Sequence, residues 1–257
     1  MLHYKTITNV HLQHWVVMIH GAGGSIEVWY RQVADFARHF NILLVDLVGH
    51  GGSSQESFGN SFSFSKSAEQ VMEVVNHLKI QKCHFVGLSL GSIVVRMIAK
   101  HNTQVVLSMV LAGAVTKLSA KTRMLFKFIN RFNSIIPYGL LRRIIAQNMI
   151  PQERYKESKK LYLKNSQKLS FDSFLNWIKV AEELNTRIIH LFNEVTSIPT
   201  LYMMGEDDKL FLSEVQQTVL NGSQNASLVI VPNAGHVCNV DNKSFFNRHS
   251  LNFLCNL

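Results

Sequence analysis

The sequence predicts an α/β protein, a doubly wound and mostly parallel sheet interrupted by an inserted helical cap, and three observations predict it. Short apolar runs alternate with stretches of helical periodicity; that alternation fails for about eighty residues in the middle of the chain; and the net charge is confined to the same middle stretch.

The strands come from runs at 16–19, 42–45, 84–86, 106–111, 200–204 and 228–231, each short and near-continuously apolar, as a strand covered on both faces requires. Between them, 29–40, 64–78, 92–100, 213–220 and 245–254 repeat apolar residues at helical spacing, as crossover helices do. From about 115 to 195 only helical periodicity remains. Met124, Leu125, Phe128, Ile129, Phe132, Ile135 and Ile136 recur every three or four residues, Pro137 and Gly139 break the pattern, and Leu140, Leu141, Ile144 and Ile145 resume it. The expected division is a core of 1–115 and 196–257 with a cap of 116–195. Charge sharpens it: 117–187 holds 15 Lys and Arg, 153–194 holds 6 Asp and Glu, and the rest of the chain has 11 of each, so the whole formal charge of +9 sits in the cap.

A chain of 257 residues, 47% hydrophobic and 17% charged, suits one sizeable core and is not the composition of a disordered protein. Met1-Leu2-His3-Tyr4-Lys5 does not read as a secretory signal, so export by that route is not expected, and the longest mid-chain stretch without charge, 101–116, is too polar for a membrane span. Three cysteines, Cys83, Cys238 and Cys255, without Cys-x-x-Cys spacing argue against a disulfide framework or a thiolate metal site. A cytoplasmic protein with reduced thiols is the expectation. Cys238 stands two residues after a candidate histidine, but a small buried thiol is the commoner reading and it is given no chemistry.

Gly87-Leu88-Ser89-Leu90-Gly91 lies between a predicted strand and a predicted helix, the context of a nucleophile elbow. Glycines flank the serine because a sharp strand-to-helix turn leaves no room for side chains beside it, and the helix that begins there aims free N–H groups at the reacting centre. A serine hydroxyl is a weak nucleophile until a base removes its proton. Among twelve histidines, His236 in Pro232-Asn233-Ala234-Gly235-His236 follows the last strand, whereas His39, His77 and His101 fall within or at the end of helical patterns. The base needs a carboxylate to fix its tautomer. Gly205-Glu206-Asp207-Asp208 follows the penultimate strand; Asp208 is the first choice, Asp207 its rival, and Glu206 the last.

With chain order Ser, Asp, His, each just beyond a strand end, the sequence resembles the α/β-hydrolase family, and specifically its serine esterases and lipase-like enzymes with a helical cap. His20-Gly21-Ala22-Gly23-Gly24 is similar to the family's His-Gly loop, and the resemblance implies that the backbone amides of Ala22 and Leu90 form an oxyanion hole. Asp46-Leu47-Val48-Gly49-His50-Gly51-Gly52-Ser53 resembles the family's Asp-x-x-Gly-x-Gly-x-Ser turn, a structural element. Neither glycine-rich stretch reads as a phosphate loop, which leaves nucleotide binding weakly supported. The amino-terminal hairpin of the family is reduced here to about residues 2–8, so the number of edge strands stays open.

The expected reaction is hydrolysis of a carboxylic ester through an acyl-enzyme, with Ser89 attacking, His236 moving the proton and Asp208 orienting it, and with no metal or organic cofactor required. The same constellation serves thioesters, C–C bond hydrolysis or lyase chemistry, acyl transfer, or a ligand sensor with a silent triad. An apolar cap face including Phe128, Phe132 and Ile136 would suit an acyl group. The basic cap could meet an anionic substrate or an anionic membrane surface; no nucleic-acid motif accompanies the charge, so no nucleic-acid partner is expected.

Overall fold

The computed structural model describes residues 1–56, 59, 62–186, 189–194, 196–221 and 225–257. Seven strands form one sheet: β1 (Tyr4–Ile7), β2 (Trp15–Ile19), β3 (Asn41–Val45), β4 (Cys83–Leu88), β5 (Val106–Ala112), β6 (Thr200–Gly205) and β7 (Ala226–Val231). Their order is β1-β3-β2-β4-β5-β6-β7, with β1 antiparallel to β3 and every other pair parallel. β1 is the edge strand that the short amino-terminal stretch left open, set by Tyr4 opposite Val45 and Ile7 opposite Ile42.

Alternation along the strands feeds two cores. On β2, Val17 and Ile19 enter the core beneath α2 (Phe64–His77) and α3 (Leu90–His101), while Val16 and Met18 enter the opposite core. That second core holds Trp29, Phe36, Phe246 and Leu254, carried by the short α1 (Val33–Phe36), its preceding 3₁₀ turn Ile26–Trp29, and the carboxyl-terminal α11 (Lys243–Cys255). The sheet is therefore wound with helices on both faces, as predicted.

One predicted helix is not formed as a unit. The 29–40 stretch holds the end of the 3₁₀ turn and the single turn of α1. Its side chains are committed to tertiary bonds: Arg31 Nη1 donates to the Val240 carbonyl at 2.9 Å, and Gln32 Nε2, fully buried, donates to the Asn239 carbonyl at 2.8 Å and to Asn247 Oδ1 at 2.9 Å. Tertiary partners override helical periodicity here.

Between β5 and β6 the described residues contain no strand. They form α4 (Ala120–Phe132), α5 (Tyr138–Met149), α6 (Lys156–Asn165), α7 (Phe171–Glu182) and α8 (Ile189–Asn193). Ser119 starts α4 by accepting a hydrogen bond from the Thr122 amide at 3.2 Å, and Pro137 precedes the first turn of α5, so the break read at Pro137 separates two helices. α4 packs on α7, and α5 on α6. Residue 195, where the cap was expected to end, and Arg187, counted in its charge, lie outside the described residues. The chain closes with α9 (Leu212–Leu220), α10 (Cys238–Asp241) and α11 (Lys243–Cys255). No helix among the described residues is long and apolar enough to cross a membrane.

Candidate active site

Ser89 sits between β4 and α3 with φ +53° and ψ −119°, a backbone conformation that costs a non-glycine residue on the order of 1–3 kcal/mol and that the surroundings must enforce. They do so by contact. A Cβ on Gly87 would lie 2.6 Å from the Gly91 carbonyl oxygen, and one on Gly91 would lie 2.3 Å from that of Ile19, so neither position accepts a side chain. The Ser89 amide is tied back to the Ala112 carbonyl at 2.8 Å, and its own carbonyl accepts from the Ser92 amide at 2.8 Å.

The three residues read from separate stretches of sequence meet at this turn. Ser89 Oγ lies 2.8 Å from His236 Nε2, and His236 Nδ1 lies 2.8 Å from Asp208 Oδ2. All three are buried, with Phe211 packed on the imidazole at a ring separation of 5.1 Å. Because Asp208 accepts from Nδ1, Nε2 is left with its lone pair toward the serine hydroxyl, the tautomer a general base needs.

Asp207, the rival acid, points elsewhere. Its Oδ2 accepts from the Tyr155 hydroxyl at 2.5 Å and pairs with the Arg154 guanidinium, and its carbonyl accepts from Gln152 Nε2 at 3.1 Å. A further carboxylate, missed by sequence reasoning, holds the loop that carries the histidine. Asp241 accepts from the Gly235 amide at 2.9 Å and from the Ser158 hydroxyl on α6. Burial pushes its carboxyl above the usual range, against hydrogen bonds from Ser158 and Gly235 that favour its charge. Residues 152–158 are thus fastened to both loops that carry Asp208 and His236. Sequence offered no signal for this, since an Asp at the end of a four-residue helix has no characteristic spacing.

The His20–Gly24 loop lies against the nucleophile: a Cβ on Gly21 would fall 2.9 Å from Ser89 Cβ. Neither the Ala22 nor the Leu90 amide has a hydrogen-bond acceptor among the described residues, and both residues line the cavity beside Ser89. This is the arrangement an anionic oxygen would complete. Asp46 braces the loop, its Oδ1 accepting from the Ile26 amide at 2.8 Å and its Oδ2 from the Gly52 amide at 2.8 Å.

His50, read from the sequence only as part of a structural turn, bonds to the same loop. Its Nε2 accepts from the Gly23 amide at 2.9 Å and its Nδ1 donates to the Val48 carbonyl at 3.1 Å. His20 repeats the pattern, accepting from the Leu47 amide at 3.0 Å and donating to the Gly21 carbonyl at 2.8 Å. Both rings are buried and neutral by this geometry. Desolvation lowers both affinities for a proton, with the neighbouring His20 depressing His50 further and Asp46 partly restoring His20. His84, buried on β4, is brought down to about 4 by desolvation and then by His14.

A pH dependence follows. The unfolded chain protonates these histidines near pH 6.5 while the native state resists, so stability is whole above that value and is lost as pH falls toward the depressed native values. His84, held at about 4, forfeits about 2 kcal/mol over the first one and a half pH units below 6.5, and His20 and His50 act in the same direction. Calorimetry between pH 7.5 and 5 is expected to show a melting temperature that falls on acidification; a flat profile would refute the assignment of neutral buried rings.

Above Ser89 an apolar cavity opens beneath the helical segment, lined among others by Leu125, Phe126, Ile145, Met149, Trp177 and Ile178. Its lining departs from expectation. Phe128 and Phe132 are 45% and 38% exposed and take no part, because the face of α4 turned inward carries Thr122, Leu125, Phe126 and Ile129. The periodicity of α4 is satisfied by either rotation of the helix, and only its packing on α7 chooses. Cys238 is buried, and burial raises its thiol far above its ordinary value, so the thiolate is disfavoured.

Comparison with known proteins agrees with the fold. The family model described as "alpha/beta hydrolase fold" matches residues 14–143, a little over half of the chain. The protein named "Putative carbamate hydrolase RutD" from Serratia proteamaculans is 24% identical over 244 residues, covering 93% of this chain and 90% of that one. Among solved structures, a hydrolase from Pseudomonas aeruginosa superposes with a TM-score of 0.85 at 22% identity, over 98% of this chain and 94% of its own. An esterase from Exiguobacterium antarcticum superposes at 0.84 with 17% identity, over 98% and 94%.

Proposed function

From the premise that this chain belongs to the α/β-hydrolase fold family and is a hydrolase, we propose that it cleaves carboxylic esters of an apolar acid through a covalent acyl-enzyme. One observation carries the reading: the unbroken line from Asp208 through His236 to Ser89, at 2.8 Å and 2.8 Å, ending under an apolar cavity.

The chemistry follows from that line. As Ser89 Oγ attacks the ester carbonyl, its proton passes to His236 Nε2, and Asp208 stabilises the imidazolium through Nδ1–H. The negative charge formed on the carbonyl oxygen is met by the Ala22 and Leu90 amides, at the start of α3 where the helix dipole adds to them. His236 then gives its proton to the departing alcohol, and a water activated by the same ring releases the acid. The helical segment acts as a cap, closing the acyl cavity and holding the Asp208 and His236 loops through Asp207 and Asp241. A small polar carbamate, the substrate in the name of the RutD relatives, would leave the apolar lining uncovered, so an acyl ester is the better match. Unpaired cysteines suit a reducing compartment, which for this reading is the cytoplasm.

The test is turnover of p-nitrophenyl esters of increasing acyl length. Each methylene buried in the cavity is expected to raise kcat/KM by about fourfold until the cavity is filled, followed by a decline. A protein that turns over no ester of any length, or one that prefers a carbamate to every ester, would overturn the proposal.

A further inference from the structure

Helix α4 carries two rows that its packing leaves outside. Met124, Phe128 and Phe132 follow one another at four-residue spacing and are 72%, 45% and 38% exposed; Ile135, in the turn after the helix, is 75% exposed, and Leu140, in the first turn of α5, is 50% exposed. One residue back, Arg123, Lys127 and Arg131 form a parallel exposed row, while Lys121 at the start of the helix is exposed at the rim of the cavity. Phe128 and Phe132 pack ring to ring at 4.9 Å, and the Arg131 guanidinium lies over Phe132. So many large apolar side chains grouped on one helix and the turn after it are not the scattered exposure ordinary for a soluble surface.

Charge narrows the partner. Residues 113–152 contain seven Lys and Arg and no Asp or Glu. Lys117 pairs with Glu214, and Arg142 donates inward to Leu163 and Ser166, but no described carboxylate pairs with Lys121, Arg123, Lys127 or Arg131. A second copy docked on this face would press unpaired cations against one another. A nucleic acid would meet the cations but offer its backbone to the apolar row. An anionic bilayer answers both: acyl chains for the row of Met124, Phe128 and Phe132, and headgroup charge for the row beside it.

We infer that α4 and the turn after it form an interfacial surface that seats this protein on anionic lipid bilayers. The opposite face of α4 supplies Thr122, Leu125 and Phe126 to the cavity, so a docked molecule holds that cavity about one helix diameter, roughly 10 Å, from the lipid.

The experiment is co-sedimentation of the full chain with large unilamellar vesicles, either phosphatidylcholine alone or phosphatidylcholine and phosphatidylglycerol in equal parts. Binding is expected to the mixed vesicles, weak or absent on phosphatidylcholine, and weakened at about 1 M salt, where screening shortens to about 3 Å. Lys127→Gln with Arg131→Gln should weaken it about 30-fold, and Phe128→Ala with Phe132→Ala about tenfold or more. Far-UV circular dichroism checks that the variants fold; the lipid and salt comparisons on the unaltered protein need no variant. No sedimentation with mixed vesicles, equal binding to both compositions, or folded variants that bind like the unaltered protein would each overturn the inference. So would a concentration-dependent dimer abolished by the Phe128→Ala, Phe132→Ala pair without vesicle binding, which would give this face to a second copy.

Discussion

Replacing Ser89 by alanine is expected to abolish ester turnover, lowering kcat by about 10⁶, and to abolish covalent labelling by a fluorophosphonate. The size of the effect comes from the covalent route itself. Without Oγ there is no acyl-enzyme, and His236 Nε2, 2.8 Å from the missing atom, has no proton to accept. Because Ser89 is buried in a turn that already suffers a positive φ, alanine keeps the backbone and removes little packing, so the melting temperature should change by no more than a few degrees. Mass spectrometry of the labelled wild type should place the adduct on the peptide that contains Ser89. An adduct elsewhere, or turnover that survives in Ser89→Ala, would remove the nucleophile assignment and with it the acyl-enzyme.

The second large effect separates two adjacent carboxylates. Asp208→Asn is expected to reduce kcat by about 10⁴, because an amide can present its NH₂ group to Nδ1 and stabilise the tautomer with hydrogen on Nε2, which cannot take the serine proton. KM should move little, since Asp208 does not line the cavity. Asp207→Asn is expected to leave kcat within about tenfold. Its carboxylate faces Arg154 and Tyr155, and an asparagine oxygen still accepts from the Tyr155 hydroxyl. What that variant should lose is part of the fastening between residues 152–158 and the sheet, seen as faster proteolysis of the helical segment rather than as lost chemistry. Equal losses of kcat in the two variants would contradict the geometry.

These two carboxylates also mark how far the sequence could be read. Ser89 was legible because its signal is local: a pentapeptide of defined sterics between a strand and a helix. His236 was legible because a histidine directly after a terminal strand must lie at the carboxyl edge of a parallel sheet, where the nucleophile also lies. Asp208 was legible only to within one residue. Successive side chains in a loop take directions set by local turns and distant partners, and here the Gln152–Tyr155 stretch draws Asp207 outward while Asp208 faces the imidazole. The same limit applied at 29–40, where helical spacing was present but Gln32 and Arg31 were taken up by bonds to α10 and α11.

By itself, then, the sequence determined the six parallel strands, their winding, the order of the reactive residues and the turn that carries the serine, because each rests on periodicity or on steric demands within a few residues. Tertiary structure alone decided which carboxylate meets His236, that His50 and Asp241 bond to the loops on either side of the nucleophile and base, and which way α4 turns its apolar stripe. That last choice gave the cavity Leu125 and Phe126 and left Phe128 and Phe132 to the outside, since an amphipathic repeat fixes the existence of an apolar face while only packing against other elements fixes its direction.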